Sequence, residues 1–150
     1  MADQAKPGEV RTEADGRVLR IIVDNVAKKN AFTPEMMLQI SDAFTAFDRN
    51  DDYWVAVLAA AGDHTTAGLD MPKFFGPTAS RVESPPDNLD AFALKGRTCK
   101  PVVAAVQGIC FTVAIELMLA ADIVIAASNC RFSQLEVKRG IMANHGATLR

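Results

Sequence analysis

The spacing of apolar positions along the chain shifts between strand-like and helix-like periods, and the shifts mark out the elements. Glu9 to Glu13 and Arg17 to Val23 are β-prone runs on either side of Ala14-Asp15-Gly16. An Asp-Gly pair between such runs predicts a hairpin. The second run alternates poorly, which predicts a strand covered on both faces. Asp24-Asn25 ends it, and Lys28-Lys29-Asn30-Ala31-Phe32 reads as a loop. Thr33-Pro34-Glu35 has the order of an N-cap, a first-turn proline and a first-turn acid. Met36, Ile40, Ala43, Phe44 and Phe47 recur at helical spacing, so a helix with one apolar face is predicted from Thr33 to about Asn50. Trp54 to Ala60 reads as a buried strand.

Gly62 to Met71 follows that strand with glycines and hydroxyl residues, a composition suited to a loop whose main-chain N–H groups face a ligand. Pro72 and Lys73-Phe74-Phe75 predict a short helix. Gly76 to Pro86, rich in Pro, Ser, Thr and Gly, predicts an exposed, mobile connection. Asp87 to Arg97 carries helical spacing in Leu89, Phe92 and Ala93 and predicts a further helix. Cys99 to Glu136 then reads as strand (Val102 to Val106), turn (Gln107-Gly108), apolar helix (Val113 to Ala120), strand (Ile123 to Ala127) and a short edge segment (Phe132 to Glu136). Two lone carboxylates, Glu116 and Glu136, are set in this apolar context. Asn144-His145-Gly146-Ala147 reads as a glycine-containing turn. No internal repeat or interdomain linker breaks the chain, so 150 residues make one domain.

Composition adds mainly exclusions. The chain is 49% apolar and 23% charged, which fits a folded core and argues against disorder. A net charge of −2 leaves no basic footprint for nucleic acid. No apolar run reaches the ~18 residues that span a bilayer. Met1 to Glu9 is polar and lacks the apolar region of a signal peptide. Cys99, Cys110 and Cys130 are odd in number and have no Cys-x-x-Cys spacing, which favours a reduced, cytoplasmic setting with thiols as small core residues. A Gly-x-Ser-x-Gly elbow, a P-loop and a Gly-x-Gly-x-x-Gly turn are all missing, so serine hydrolysis and nicotinamide binding lack support. His64 and His145 have no partner at metal-ligand spacing, and each reads as a loop residue.

Four stretches together resemble the crotonase, or enoyl-CoA hydratase/isomerase, superfamily. Lys29-Asn30-Ala31-Phe32 is similar to its Lys/Arg-Asn-Ala-Leu loop. Thr66-Ala67-Gly68-Leu69-Asp70-Met71 resembles its Ser-Ala-Gly-x-Asp-Leu motif. Lys100-Pro101 through Gln107-Gly108 is similar to its Lys-Pro-x-Ile-Ala-x-Val-x-Gly strand and turn. Glu116-Leu117 through Asp122, then Phe132 to Gly140, resembles its Glu-Leu…Ala-Asp…Phe-x-x-Pro-Glu-x-x-x-Gly segment. The likeness runs from about Arg17 to Arg150.

The resemblance implies an α/β fold, a spiral of strand-strand-helix units, of which residues 1–150 are an amino-terminal portion ending before the usual C-terminal helices. It implies an acyl-CoA thioester as substrate, no cofactor beyond the CoA the substrate carries, no metal, and assembly as a homotrimer or dimer of trimers. It assigns an oxyanion hole to the N–H groups of Leu69 and Val113. It assigns water activation at C3 to Glu116 and proton delivery at C2 to Glu136. Lys29, Ala31, Phe32, Ala67, Gly68, Asp70 and Met71 are the implied substrate-binding positions. The residues themselves are compatible with this. A helix that starts near Thr112–Val113 presents unpaired N–H groups and a positive dipole end. Two carboxyls in an apolar site repel as anions, which favours one staying protonated as the acid. Taken alone, Glu116 could be a helix carboxylate facing water and Glu136 a surface charge beside Lys138 and Arg139. Lys28 and Lys29 read equally well as CoA-phosphate contacts or as solvated lysines. Asp122 reads as a structural turn or cap residue, and Phe32, Phe132, Met36 and Met37 as core.

Three departures from the family pattern stand out. Thr112-Val113-Ala114 replaces a glycine cluster, and a β-branched residue there prefers negative φ. Leu135 stands where proline is usual, and Asn144 to Ala147 replaces a Pro-x-x-Gly-Gly turn. The chain is also short for the family, and standing alone it is expected to leave apolar surface uncovered. Three readings stay open: a 2-enoyl-CoA hydratase, an isomerase or other one-glutamate reaction, and a silent CoA-binding or assembly subunit.

Overall fold

In the computed structural model, which describes residues 7–77 and 79–150, the chain opens with the expected hairpin. Strands β1 (Glu9–Asp15) and β2 (Val18–Asp24) pair antiparallel with Asp15 opposite Val18. Met1 to Lys6, part of the polar start read above, lie outside the described residues. Helix α1 (Pro34–Arg49) follows, with the Thr33 side chain accepting the Met36 N–H at 3.3 Å and Pro34 in its first turn. Met36, Ile40 and Phe47 are fully buried on its apolar face. Each such side chain contributes about 1.5–3 kcal/mol by leaving water, and α1 is thereby held against the hairpin.

The sheet grows from β2 by parallel pairing. Strand β3 (Val55–Ala60) lies beside β2, β4 (Val102–Val106) beside β3, and β6 (Ile123–Ala126) beside β4, giving the order β1-β2-β3-β4-β6. A second, two-stranded sheet joins β5 (Ile109–Phe111) to β7 (Arg131–Ser133) in parallel. Helices α2 (Met71–Phe75) and α3 (Val113–Ala120) follow β3 and β5. A strand-strand-helix order thus recurs as β1, β2, α1 and as β4, β5, α3, and begins again with β6, β7 and a 3-10 turn over Glu136–Arg139. This is the crotonase-like α/β architecture that the motifs imply.

Several local expectations are corrected. The spacing in Leu89, Phe92 and Ala93 does not make a helix. The Asp90 carboxylate accepts the N–H groups of Phe92, Leu94 and Lys95 at 3.0–3.2 Å, and this side-chain bonding replaces a helical ladder. Strand β5 falls between the expected turn and helix, in residues left without an element; three residues are too short to declare a period. Trp54, read as the start of a buried strand, precedes β3 and is 65% exposed, with the Arg17 guanidinium over its ring. Phe132, read as core, is half exposed on β7, while Met37 packs against the core as expected and also lines a cleft. Of the three thiols only Cys110 is buried; Cys130 is half-buried and Cys99 exposed. Asp122 has the structural role it was read for, but it follows the α3 C-cap Ala121 rather than capping the helix, accepting the Val102 N–H at 2.8 Å and pairing with Arg97.

The edge strand β6 exposes Ile123, Val124 and Ile125, and Val137, Met142 and Leu149 are also exposed, so the chain does leave apolar surface uncovered. None of its described helices is long and apolar enough to cross a membrane.

Candidate active site

Asn30 anchors the first wall of the site. Its backbone is left-handed (φ 56°), a conformation asparagine tolerates better than most residues. Buried there, its Oδ1 accepts the Asn25 N–H at 2.7 Å, and its Nδ2 donates to the carbonyls of Ala61 and His64, each at 2.7 Å. The loop after β2 is therefore fastened to the loop after β3. Main-chain bonds finish the join: Ala67 N–H to the Lys29 carbonyl, Phe32 N–H to that of Gly68, and Asp70 N–H to that of Phe32.

The other face of the same loop is tied to β5. Thr66 N–H donates to the Ile109 carbonyl and Phe111 N–H donates to the Thr66 carbonyl. Strand β5 leads directly into α3, so the segment holding Leu69 and the start of the helix holding Val113 share one hydrogen-bonded frame. Gly68 has φ 109°, and a Cβ there would stand 2.5 Å from Thr112 Oγ1, so only glycine fits. Among the described residues, neither the Leu69 N–H nor the Val113 N–H has an acceptor. For Val113 this follows from its place at the first position of α3, where an N–H has no partner one turn back.

The β-branched residue at the family's glycine position adopts the conformation it disfavours. Thr112 has φ 49° and ψ −107°, and its buried hydroxyl has no partner among the described residues. Positive φ at a β-branched residue is strained.

Glu116 does not face water. It is 3% exposed on the first turn of α3, and its Oε1 accepts the His145 N–H at 2.6 Å and the Ala147 N–H at 3.5 Å. The His145 Nδ1 stands 3.5 Å from Oε2. The Glu116 hydrogen bond raises the His145 imidazole above its ordinary pKa, with burial acting in the opposite direction. Glu136 lies on the 3-10 turn after β7, not on an edge strand, with a buried Oε2 that has no partner among the described residues.

A cleft of about 640 Å³ brings these groups together. Its lining includes Glu116, Glu136, Leu69 and Val113, with Ala67, Gly68 and Met71 from the expected binding positions. Lys29, Ala31, Phe32 and Asp70 are not in that lining. Phe32 is fully buried in the core beside Met36, and Asp70 pairs with Lys28 at 2.7 Å. Sequence reasoning missed Thr112, Met37, Arg139 and above all His145 as cleft residues. The one available signal for His145 was its place between Asn144 and Gly146, in the turn that departs from the family pattern. Among the described residues no cluster of His, Cys, Asp or Glu could hold a metal ion.

The profile of the Enoyl-CoA hydratase/isomerase family matches residues 13–150. The chain belongs to this family. Among curated relatives, a carnitinyl-CoA dehydratase from Proteus mirabilis (strain HI4320) is 33% identical over 141 residues, covering 90% of this chain and 52% of the relative. Among solved structures, an enoyl-CoA hydratase from Mycobacterium tuberculosis H37Rv aligns with TM-score 0.83 and 32% identity, over 95% of this chain and 55% of that one. A probable enoyl-CoA hydratase/isomerase from Mycobacterium abscessus aligns with TM-score 0.86 and 38% identity, over 94% and 55%. The chain spans about half the length of the family members it matches.

Proposed function

We propose that this cleft carries hydro-lyase chemistry on 2-enoyl-CoA thioesters, adding water across C2 and C3 or removing it in reverse. The thioester oxygen lies between the N–H groups of Leu69 and Val113. Negative charge that develops on that oxygen as water adds is held by fixed donors, and losing one such donor typically costs about 3–4 kcal/mol of barrier. Glu116 takes a proton from water as its oxygen bonds to C3. Glu136 gives a proton to C2 on the same face, so addition is syn. CoA belongs to the substrate, and the reaction draws on no further cofactor. The name of the carnitinyl-CoA dehydratases describes the reverse direction of the same chemistry. Assembly as a homotrimer or dimer of trimers in the cytoplasm completes the reading.

The observation that carries it is one cleft lined by two glutamates and by Leu69 and Val113, whose N–H groups lack acceptors among the described residues. The test is loss of the enoyl-thioester ultraviolet band when the chain is mixed with crotonyl-CoA. Glu116→Gln and Glu136→Gln are each expected to slow that loss by about a hundredfold or more. Unchanged hydration in both variants would remove the assignment, and double-bond migration without water uptake would favour an isomerase.

Thr112 favours a second reading, a silent acyl-CoA-binding or assembly subunit. Its strained backbone precedes the Val113 N–H directly. Tight acyl-CoA binding with no turnover would support that reading over the first.

A further inference from the structure

Glu116 has a problem that its burial creates. A base that takes a proton from water must lose it before the next turnover. At 3% exposure the Glu116 carboxyl has little direct access to bulk water. Glu136, conversely, must regain a proton after giving one to C2. The cycle closes when the proton on Glu116 is made good at Glu136, either across the cleft or by way of solvent.

One titratable group touches Glu116 and also reaches outward. The His145 Nδ1 faces Oε2 at 3.5 Å, while 43% of the His145 side chain remains exposed. The ring is not adrift. The His145 main-chain N–H is bonded to Glu116 Oε1, and the ring lies 4.4 Å from that of Phe92 in a tilted contact. Arg150 donates to the carbonyls of Phe92 and Ala93 at 2.7 and 2.8 Å, which steadies that neighbour.

We propose that His145 is a positioning and proton-relay residue, which seats the Glu116 carboxylate and carries its proton to solvent. This rests on the hydro-lyase reading above. In the forward direction the water O–H bond breaks as the C3–O bond forms, and the proton goes to Glu116. The Oε2–H bond then breaks as an Nδ1–H bond forms on the neutral imidazole. The imidazolium releases a proton to solvent and returns to the neutral form. Glu136 takes a proton back from solvent, so the relay neither gains nor loses protons over a cycle.

The relay needs neutral His145, so kcat must fall as pH drops through the His145 titration. The charged groups around it are Glu116 from α3, Asp90 from the segment before β4, and Glu136 and Arg139 from the 3-10 turn in the same cleft. Of these Glu116 acts most strongly, and it raises the imidazole pKa.

Two measurements on the 150-residue chain test this. The first is the pH profile of crotonyl-CoA hydration for the wild type and His145→Gln, which keeps the main-chain N–H to Glu116. The variant is expected to lose about tenfold or more in kcat with KM little changed. Its acid limb should disappear, and added imidazole should restore kcat. A variant with wild-type kcat and acid limb overturns the relay, as does a loss that imidazole cannot restore. The second is NMR titration of His145 in the wild type and in Glu116→Gln. The pKa is expected to fall back toward its ordinary value when Glu116 is neutralised, and an unmoved titration overturns the pairing. A wild-type chain that neither hydrates nor dehydrates would sink the hydro-lyase reading itself, and with it the relay. The NMR result would still show whether His145 and Glu116 are coupled.

Discussion

The Asn30 side-chain amide donates to the Ala61 carbonyl at 2.7 Å, and through that bond the turn after β2 holds the loop that forms one wall of the cleft. The same side chain also serves Asn25 and His64, so its removal strands one N–H and two carbonyls in a half-buried space. Asn30→Ala is expected to destabilise the chain by about 3 kcal/mol. Urea unfolding measures it, and a loss below about 1 kcal/mol would mean water replaces these bonds freely.

Helix α1 should behave as a packed lid on the sheet. Phe47 is fully buried, and Lys100 reaches over its ring while donating to the carbonyls of Phe47 and Asn50. Phe47→Ala is expected to cost about 3–5 kcal/mol by lost burial and a cavity. Phe47→Leu should cost less than half of that if packing volume is the cause, and equal costs would point to the ring contact instead.

Thr112 stores strain that glycine would release. At φ 49° and ψ −107° with an unpartnered hydroxyl, Thr112→Gly is expected to raise stability by about 1 kcal/mol despite the added freedom of the unfolded chain. If hydration is the activity, the same variant shows whether the strain serves it. Thermal unfolding reads the first effect, and a lower midpoint for the glycine variant would refute the strain assignment.

His145 makes stability depend on pH in a stated direction. Its folded pKa lies above the ordinary 6.5, first because of the Glu116 hydrogen bond. The charged ring is then bound more tightly in the folded chain than in the unfolded one. That contribution is complete below pH 6.5 and is lost as pH rises through the raised folded value. With the ring partly exposed, the effect is softened by solvent. Urea midpoints at pH ~6 and pH ~8 should therefore fall further for the wild type than for His145→Gln. Parallel falls would show that the pair does not contribute.

The sequence by itself determined the elements whose signals are local. The Asp-Gly hairpin, the Thr33-Pro34-Glu35 helix start and the apolar strands all depend on neighbours a few residues away. The spaced motifs also announced the family and the two glutamates. Asp90 shows where local reading fails: Leu89, Phe92 and Ala93 have helical spacing, yet one carboxylate captures the N–H groups that a helix would use. Periodicity records which side is apolar and is blind to that competition. The cleft needed the fold as well. Glu116 and His145 are 29 positions apart, and their bond exists only because the last turn folds back over α3. Lys29 and Phe32 sit in a motif beside the site, but backbone pairing directs them to the surface and the core. Which way a side chain points is set by contacts between distant segments, and a one-dimensional pattern does not contain them.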